Sequence, residues 1–389
     1  MDSVKPTQTD YEPHPLTDAH YDASASALKE LTTLAENKNQ PPTSHIHGSS
    51  SSIESHAWLS KFLPKTTIQS VENKFHLGNY VLDRQTGEKT WEAMSIYVRV
   101  GMHLLYYGSA QAEALHWKKT LGLLQAQSEK MGREYDAPES KQHIVPFIQS
   151  FGLENTLLEM VQSEPDSYST FNEFFAREIK ESARPIAEPE NDFVTSSPAD
   201  CRLTAFPTID LATKYWIKGF GFTLAALVGD EQLAAQFEGG TIVIARLAPQ
   251  DYHRWHAPVS GTVRGIKDIP GAYYTVNPQA INEPGTLDVF CENKRSVMTL
   301  ERSSTGSPIA IVAVGAMLVG SIKYVGGVDT IGAEVRRGQC LGAFYYGGST
   351  VIVLYPPGEV VLDEDLVRNS TELGMETYVK VGWRTGAKP

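Results

Sequence analysis

The segment LAPQDYHRWHAP brings Asp251, His253, Arg254 and His256 close together in the chain. Imidazole exchanges protons near neutral pH, and neighbouring charges shift its proton affinity. On an extended segment, residues two apart share a face and residues three apart lie on opposite faces. We therefore expect His253 and His256 to point in different directions and to have different roles.

A second candidate site is the sequence GGST at 347–350, where Ser349 follows two glycines. Attack by a serine hydroxyl on the preceding carbonyl needs an open backbone and a base, usually a histidine oriented by a carboxylate. Asp200, in the turn SSPAD, completes the order Asp…His…Ser. Taken alone, GGST is more typical of a tight turn, and an aspartate in a turn is usually structural.

Other kinds of site are not supported by the residues. There is no G-x-S-x-G elbow, Walker loop, dinucleotide fingerprint or HExxH motif. The three cysteines, Cys201, Cys291 and Cys340, form no CxxC pair, which argues against a disulfide scaffold or a zinc site and favours a reducing compartment. A formal net charge of -12 argues against a nucleic-acid partner.

Targeting signals are not apparent either. The first residues contain acids and no apolar stretch, so neither secretion nor organelle import is expected. The longest apolar run, at 308–320, is too short to span a bilayer and reads as a buried strand. We expect a cytoplasmic protein without a transmembrane segment.

The chain divides into three parts by composition and periodicity. Residues 1–55 form a polar tail, expected to be disordered, whose His45 and His47 are best explained by that composition. Residues 56–190 form a helical N-terminal region, and 191–389 a β-rich domain with frequent turns. The predicted fold class is α+β, with the helical region packed on a mainly antiparallel core, either a sandwich or a partly closed barrel.

Several elements within these parts are predicted individually. Thr170 to Glu173 has the form of a capping box that opens a helix. A second helix is predicted at 223–237, and the segment KYWIKGF at 214–220 is predicted as a strand. An apolar helical face, which either packs on the core or enters a lipid interface and ends near Gly108, comprises Trp91, Met94, Val98, Met102 and Leu105.

Taken together, these residues resemble the phosphatidylserine decarboxylases, a family of pyruvoyl-dependent enzymes. The resemblance runs in order through about 70–385. It is carried by FNEFFAREIKESARPI, SSPADCRLTAF, RLAPQDYHRWHAPVSGTV and EVRRGQCLGAFYYGGSTVIVLYP. The segment TGEKTWEAMSIYVRVGMHLLYYG is similar to the eukaryotic endomembrane-type branch, and no C2-like lipid-binding domain is expected ahead of it. Cys201 departs from many bacterial members, which have glycine there.

The resemblance implies a self-cleaving zymogen. Ser349 attacks the Gly348 carbonyl, the chain splits into a β chain (1–348) and an α chain (349–389), and Ser349 becomes a pyruvoyl group. His256, oriented by Asp200, matches the position of the base for this cut, and His253 that of the histidine associated with decarboxylation.

The implied reaction converts phosphatidylserine to phosphatidylethanolamine and CO2 through a Schiff base on the pyruvoyl group, without pyridoxal phosphate or a metal. The implied partners are a phospholipid at a membrane surface, the α and β chains of the same precursor and a second copy in a homodimer. The implied location is the periphery of an endomembrane.

Two other functions stay open at this point. Some fungal relatives of the family decarboxylate free aromatic amino acids such as tryptophan, which would keep the chemistry and change the substrate. A non-processing adaptor with the same fold is the third possibility. The intact set of Asp200, His253, His256 and Ser349 argues against an adaptor.

Overall fold

The computed structural model describes residues 78–93, 129, 132–217, 222–272, 288–315, 321–345 and 349–389. Its strands are β1 (Gly78–Asp83), β2 (Lys89–Ala93), β3 (Val194–Ser196), β4 (Cys201–Phe206), β5 (Thr241–Leu247), β6 (Arg254–His256), β7 (Gly261–Ile269), β8 (Arg295–Arg302), β9 (Pro308–Gly315), β10 (Ser321–Tyr324), β11 (Glu334–Val335), β12 (Cys340–Tyr345), β13 (Ser349–Tyr355), β14 (Val361–Leu362), β15 (Glu376–Val379) and β16 (Arg384–Ala387).

The α-helices of these ranges are short. They include α1 (Ile144–Phe151), α2 (Phe171–Phe175), α3 (Ile209–Tyr215), α4 (Leu224–Val228), α5 (Glu231–Ala235), α6 (Val289–Glu292) and α7 (Glu364–Thr371), and residues 132–136 are also helical. Short 3-10 helices lie at Pro138–His143, Thr156–Glu159, Pro165–Ser167 and Glu181–Ala183. In the part of the chain that the structure describes, no helix is both long and apolar enough to cross a membrane.

Ten strands form one large sheet in the order β11-β7-β8-β9-β13-β5-β4-β15-β1-β2. Its neighbouring strands are antiparallel except for the parallel pair β1 and β15. Among the described strands the sheet is open rather than closed into a barrel. Two three-stranded sheets accompany it, β10-β12-β6 and β14-β16-β3. The predicted α+β class with a mainly antiparallel core is confirmed.

Strand β13 lies inside the large sheet, and all of its residues are buried. Alternate side chains of a strand point to opposite faces. Ile352 and Leu354 therefore join the core beneath α3 to α6, whereas Val351, Val353 and Tyr355 join the core beneath β6, β12 and α7. Each such side chain contributes about 1.5–3 kcal/mol by burial, so the strand that begins at Ser349 is a rigid element.

The helical part packs on this sheet through its own aromatic core, which includes Phe147, Phe171 and Phe175. Helix α2 begins at Thr170, whose hydroxyl accepts the Glu173 N–H at 3.1 Å. The Glu173 carboxylate accepts the N–H of Ser169, one residue before the cap, at 2.6 Å, so the predicted cap at Thr170 is present and the returning bond is shifted by one residue. Tyr252 and Val381 from the β-rich part complete the same core. The prediction that the helical region packs on the β-rich core is therefore confirmed for the described residues.

Three predicted elements differ in the structure. Trp91, expected on a helix, lies in β2, because the Asp83 carboxylate and the left-handed Gly87 (φ 71°) close a hairpin between β1 and β2. The helix at 223–237 is broken into α4 and α5 at Gly229, which has a φ of 67°. Lys214 and Tyr215, expected in a strand, end α3.

Other predictions fall outside the described residues. They concern the tail at 1–55, the rest of the apolar face from Met94 to Leu105, Gly108, and the two glycines of GGST.

Candidate active site

Ser349 is the first residue of β13 and is fully buried. The sheet places it between Leu247 of β5 and Gly315 of β9. Its Oγ lies 3.0 Å from Nδ1 of His253. The nucleophile predicted from the sequence therefore has an imidazole as its hydrogen-bond partner, in a place closed to water.

His253 lies in the loop between β5 and β6 and has no exposed surface. Its Nε2 lies 2.9 Å from the carbonyl oxygen of Ala248. A carbonyl only accepts hydrogen bonds, so Nε2 carries the proton and Nδ1 of the neutral ring accepts the Ser349 hydroxyl. The ring also stacks on Phe175, with centroids 4.0 Å apart. One tautomer and one orientation are thus selected.

Burial, together with the nearby positive charge of Arg177, lowers the pKa of His253 to about 3. Arg177 follows α2, is itself buried and donates from Nη2 to the carbonyls of Gln250 and Asp251 at 3.2 Å. His253 is therefore neutral at neutral pH, and its Nδ1 lone pair is free to accept a proton from position 349.

His256 lies in β6, and its hydrogen-bond partners differ from those of His253. Its Nδ1 donates to the carbonyl of Gly338 at 2.8 Å, and its Nε2 accepts from the Tyr252 hydroxyl at 3.2 Å. Burial lowers the pKa of His256 to about 4, partly opposed by the negative charge of Asp200. The two histidines are thus held as opposite neutral tautomers.

His256 and Tyr252 line a cleft of about 770 Å³. Its other charged walls include Arg184, Arg254 and Arg336, together with acidic residues such as Glu178. His253 and Ser349 are not part of that wall among the described lining residues. Of the two histidines, His256 is therefore the one that lines this cleft.

Asp200 is buried in the turn before β4. Arg184 donates to both of its carboxylate oxygens, from Nε at 2.9 and 3.1 Å and from Nη2 at 2.5 Å, and the Val381 N–H donates at 2.8 Å. Within the described residues no hydrogen bond joins Asp200 to His256. The structure brings Ser349 to His253 and does not link Asp200, His256 and Ser349 into one hydrogen-bonded chain.

Several site residues were not singled out from the sequence. Phe175 and Arg177 stand in the motif FNEFFARE, and Tyr252 stands in DYHR, so the motifs themselves were the available signal. The carbonyls of Ala248 and Gly338 carry no such signal, because every residue has one. Their role depends on the course of the backbone.

A family model described as phosphatidylserine decarboxylase matches residues 171–387, more than half of the chain. The match includes Asp200, His253, His256 and Ser349. This chain belongs to the phosphatidylserine decarboxylase family.

Individual relatives agree with this assignment. Phosphatidylserine decarboxylase proenzyme 3 of Schizosaccharomyces pombe is 44% identical over 332 residues, which is 85% of this chain and 33% of the relative. Proenzyme 2 of Oryza sativa is 38% identical over 337 residues, 85% of this chain and 53% of the relative. The proenzyme of Fusobacterium nucleatum is 37% identical over 306 residues, 78% of this chain and 96% of the relative. The chain thus spans about a third of the yeast relative and nearly all of the bacterial one.

Proposed function

We propose that this protein is a self-processing phosphatidylserine decarboxylase, which converts phosphatidylserine to phosphatidylethanolamine and CO2. Family membership supports the reaction class, and the relatives are named as phosphatidylserine decarboxylase proenzymes. The observation that carries the proposal is the contact between buried Ser349 and neutral His253 at the start of a rigid strand.

The first activity is cleavage of the chain at Gly348–Ser349. Ser349 Oγ attacks the Gly348 carbonyl carbon, the peptide C–N bond breaks, and an ester replaces it. Loss of the Ser349 α-proton then expels the Gly348 carboxylate, and water converts the resulting dehydroalanine to a pyruvoyl group with release of ammonia. A neutral hydroxyl needs a base for the attack.

The two histidines have separate proposed roles. The resemblance implies His256 as the base for the cut and His253 as the residue for turnover. The contact with position 349 supports the second role, since whatever the cut leaves at 349 faces the same Nδ1. His256 is bonded to Tyr252 and Gly338 instead, so its role in the cut rests on the resemblance alone.

The surroundings of Ser349 fit a pyruvoyl group formed there. The residue is buried, begins a central strand and faces an imidazole nitrogen that can exchange a proton. Such a group would supply an electron sink for the charge that develops as CO2 leaves. His253 would hold and move a proton at that position.

A direct test measures first the cleavage of the chain and then the decarboxylation of the substrate. Intact-mass analysis is expected to show fragments 1–348 and 349–389, the second with a blocked N-terminus. CO2 release is expected from vesicles containing phosphatidylserine and not from free tryptophan. A single uncut chain would refute the proposal, and release from tryptophan alone would replace the lipid by the free amino acid.

Action at an endomembrane surface and assembly as a homodimer stay predictions from the resemblance. Sedimentation of the protein with phosphatidylserine vesicles tests the first. Its molar mass in solution tests the second.

A further inference from the structure

The turn at the end of β5 contacts both His253 and Ser349. Leu247 ends β5 and is the sheet partner of Ser349. The next residue, Ala248, offers the carbonyl that accepts the Nε2 proton of His253 at 2.9 Å. The orientation of this carbonyl therefore determines which ring nitrogen of His253 carries the proton and which faces Ser349.

Asp251 closes that turn from two sides. Its N–H donates to the Ala248 carbonyl at 2.9 Å, and its carboxylate accepts the Ala248 N–H at 2.7 Å. Both polar groups of Ala248 are thus bound by one residue. The two peptide groups that flank Ala248 are therefore each held by one hydrogen bond, and neither can rotate without breaking it.

The large sheet holds Asp251 in turn. Arg202 of β4 donates from Nη1 to both Asp251 oxygens, and both side chains are more than nine-tenths buried. Arg202 also binds Glu92 of β2. A buried pair of this kind is rigid, and removing one partner leaves an uncompensated charge. The turn is therefore anchored to two strands.

We propose that Asp251 is a positioning residue for His253: it fixes the Ala248 carbonyl, which keeps the proton of His253 on Nε2 and leaves Nδ1 free toward position 349. The consequence for turnover rests on the proposed function. The consequence for the tautomer does not.

The interactions of Asp251 with Ala248 and Arg202 require a negatively charged carboxylate. An asparagine at this position would keep one oxygen for the Ala248 N–H, but its amide group cannot attract Arg202 and would place donors against donors. The turn would loosen, and the Ala248 carbonyl would no longer favour one tautomer. Asp251→Asn is therefore the informative substitution.

The measurement is a long-range ¹H–¹⁵N spectrum of protein labelled with ¹⁵N-histidine, with His253 assigned by its absence in His253→Gln. The wild-type protein is expected to show the Nε2-protonated tautomer at neutral pH. Asp251→Asn is expected to show both tautomers. Its kcat for phosphatidylserine per cut chain is expected to fall by roughly 10- to 100-fold, part of the 10²–10⁴ attributed to positioned acid–base groups, with KM unchanged.

Asp288→Asn is the matched control. Asp288 is equally buried and accepts backbone N–H groups of Phe290 and Cys291, but it caps α6 away from the turn. This variant is expected to keep the wild-type tautomer and activity. An Asp251→Asn protein with the wild-type tautomer and kcat would overturn the proposal.

The wild-type spectrum tests the proposal even if Asp251→Asn does not fold. A proton on Nδ1 of His253 in the wild-type protein would refute it. A protein with the Nε2 tautomer but no decarboxylation of phosphatidylserine would instead refute the proposed function and leave the positioning role intact.

Discussion

His253 and Ser349 face each other across 3.0 Å although 96 positions separate them in the chain, and neither is exposed. The sheet creates this contact, because Ser349 pairs with Leu247 and His253 follows a few residues later. The hydroxyl is therefore both fixed in place and shielded from water, which is what an intramolecular attack needs.

Ser349→Ala is expected to abolish cleavage, because the attacking oxygen is lost. Denaturing gels and intact mass should show one chain. The matched control is Thr350→Val. The Thr350 hydroxyl is buried and has no hydrogen-bond partner within the described residues, so its loss should leave cleavage intact. Cleavage of Ser349→Ala at 348–349 would exclude Ser349 as the nucleophile.

His253→Ala and His256→Ala separate the two histidine roles. His256→Ala is expected to remain uncut. His253→Ala is expected to be cut, but its CO2 release per cut chain should fall by roughly 100-fold or more, since a positioned acid–base group is lost. Gel densitometry and CO2 release measure the two steps separately. An uncut His253→Ala beside a cut His256→Ala would exchange the assignments.

The sequence was sufficient for the fold class, and it supplied the candidate site residues, whose roles stay predictions. The motifs contain Asp200, His253, His256 and Ser349. The sequence was not sufficient for their partners. Arg184 donates hydrogen bonds to the Asp200 carboxylate, and a backbone carbonyl accepts a hydrogen bond from one nitrogen of each histidine. No pattern of side chains in the sequence reveals these contacts.

The helical periodicity at Trp91 also gave a wrong prediction, because turn residues determine the local structure there. Trp91 begins an apolar pattern of helical spacing, yet it lies in a hairpin strand closed by Asp83 and Gly87. The turn residues were visible in the sequence, but β1, the hairpin partner of β2, also pairs with β15, which lies almost 300 positions away. Pairing over such a distance overrides a local helical preference.

Acid is expected to destabilise the protein through both histidines. Their folded-state pKa values are lowered, to about 3 for His253 and about 4 for His256, against 6.5 unfolded. Between these values the unfolded chain binds protons that the folded protein does not, so stability is present above pH 6.5 and is lost as the pH falls. Each histidine contributes a slope of roughly 1.4 kcal/mol per pH unit.

The titration of Asp251 changes the stability of the protein with pH in the opposite direction. Burial raises its pKa to about 6 despite the positive charge of Arg202, so its contribution to stability is present below about pH 3.8 and is lost as the pH rises toward 6.

The contribution of His256 can be measured alone by comparing His256→Leu with its parent in denaturant unfolding between pH 4.5 and 6.5. Both proteins carry Ser349→Ala, so that a single uncut chain unfolds. The slope should fall by roughly 1.4 kcal/mol per unit. Equal slopes would mean that His256 is not neutral when buried.

Gly342→Ala is expected to disturb the site through Trp255. A Cβ at position 342 would lie 2.2 Å from Cζ2 of the Trp255 ring and 2.7 Å from the Lys323 carbonyl oxygen. Trp255 lies in β6, is fully buried against β12 and directly precedes His256, so it has no room to move away. Such overpacking costs about 1–3 kcal/mol.

Gly265→Ala in β7 provides the control for this substitution, since its Cβ would meet only Thr299 Oγ1, at 4.0 Å. Urea unfolding in the Ser349→Ala chain should show a loss for Gly342→Ala of about 3 kcal/mol and a change below about 0.5 kcal/mol for Gly265→Ala. The same Gly342→Ala change in the otherwise wild-type chain should slow cleavage, because displacing the indole moves His256 with it. Normal stability and normal cleavage in that variant would show that β12 yields where the packing predicts it cannot.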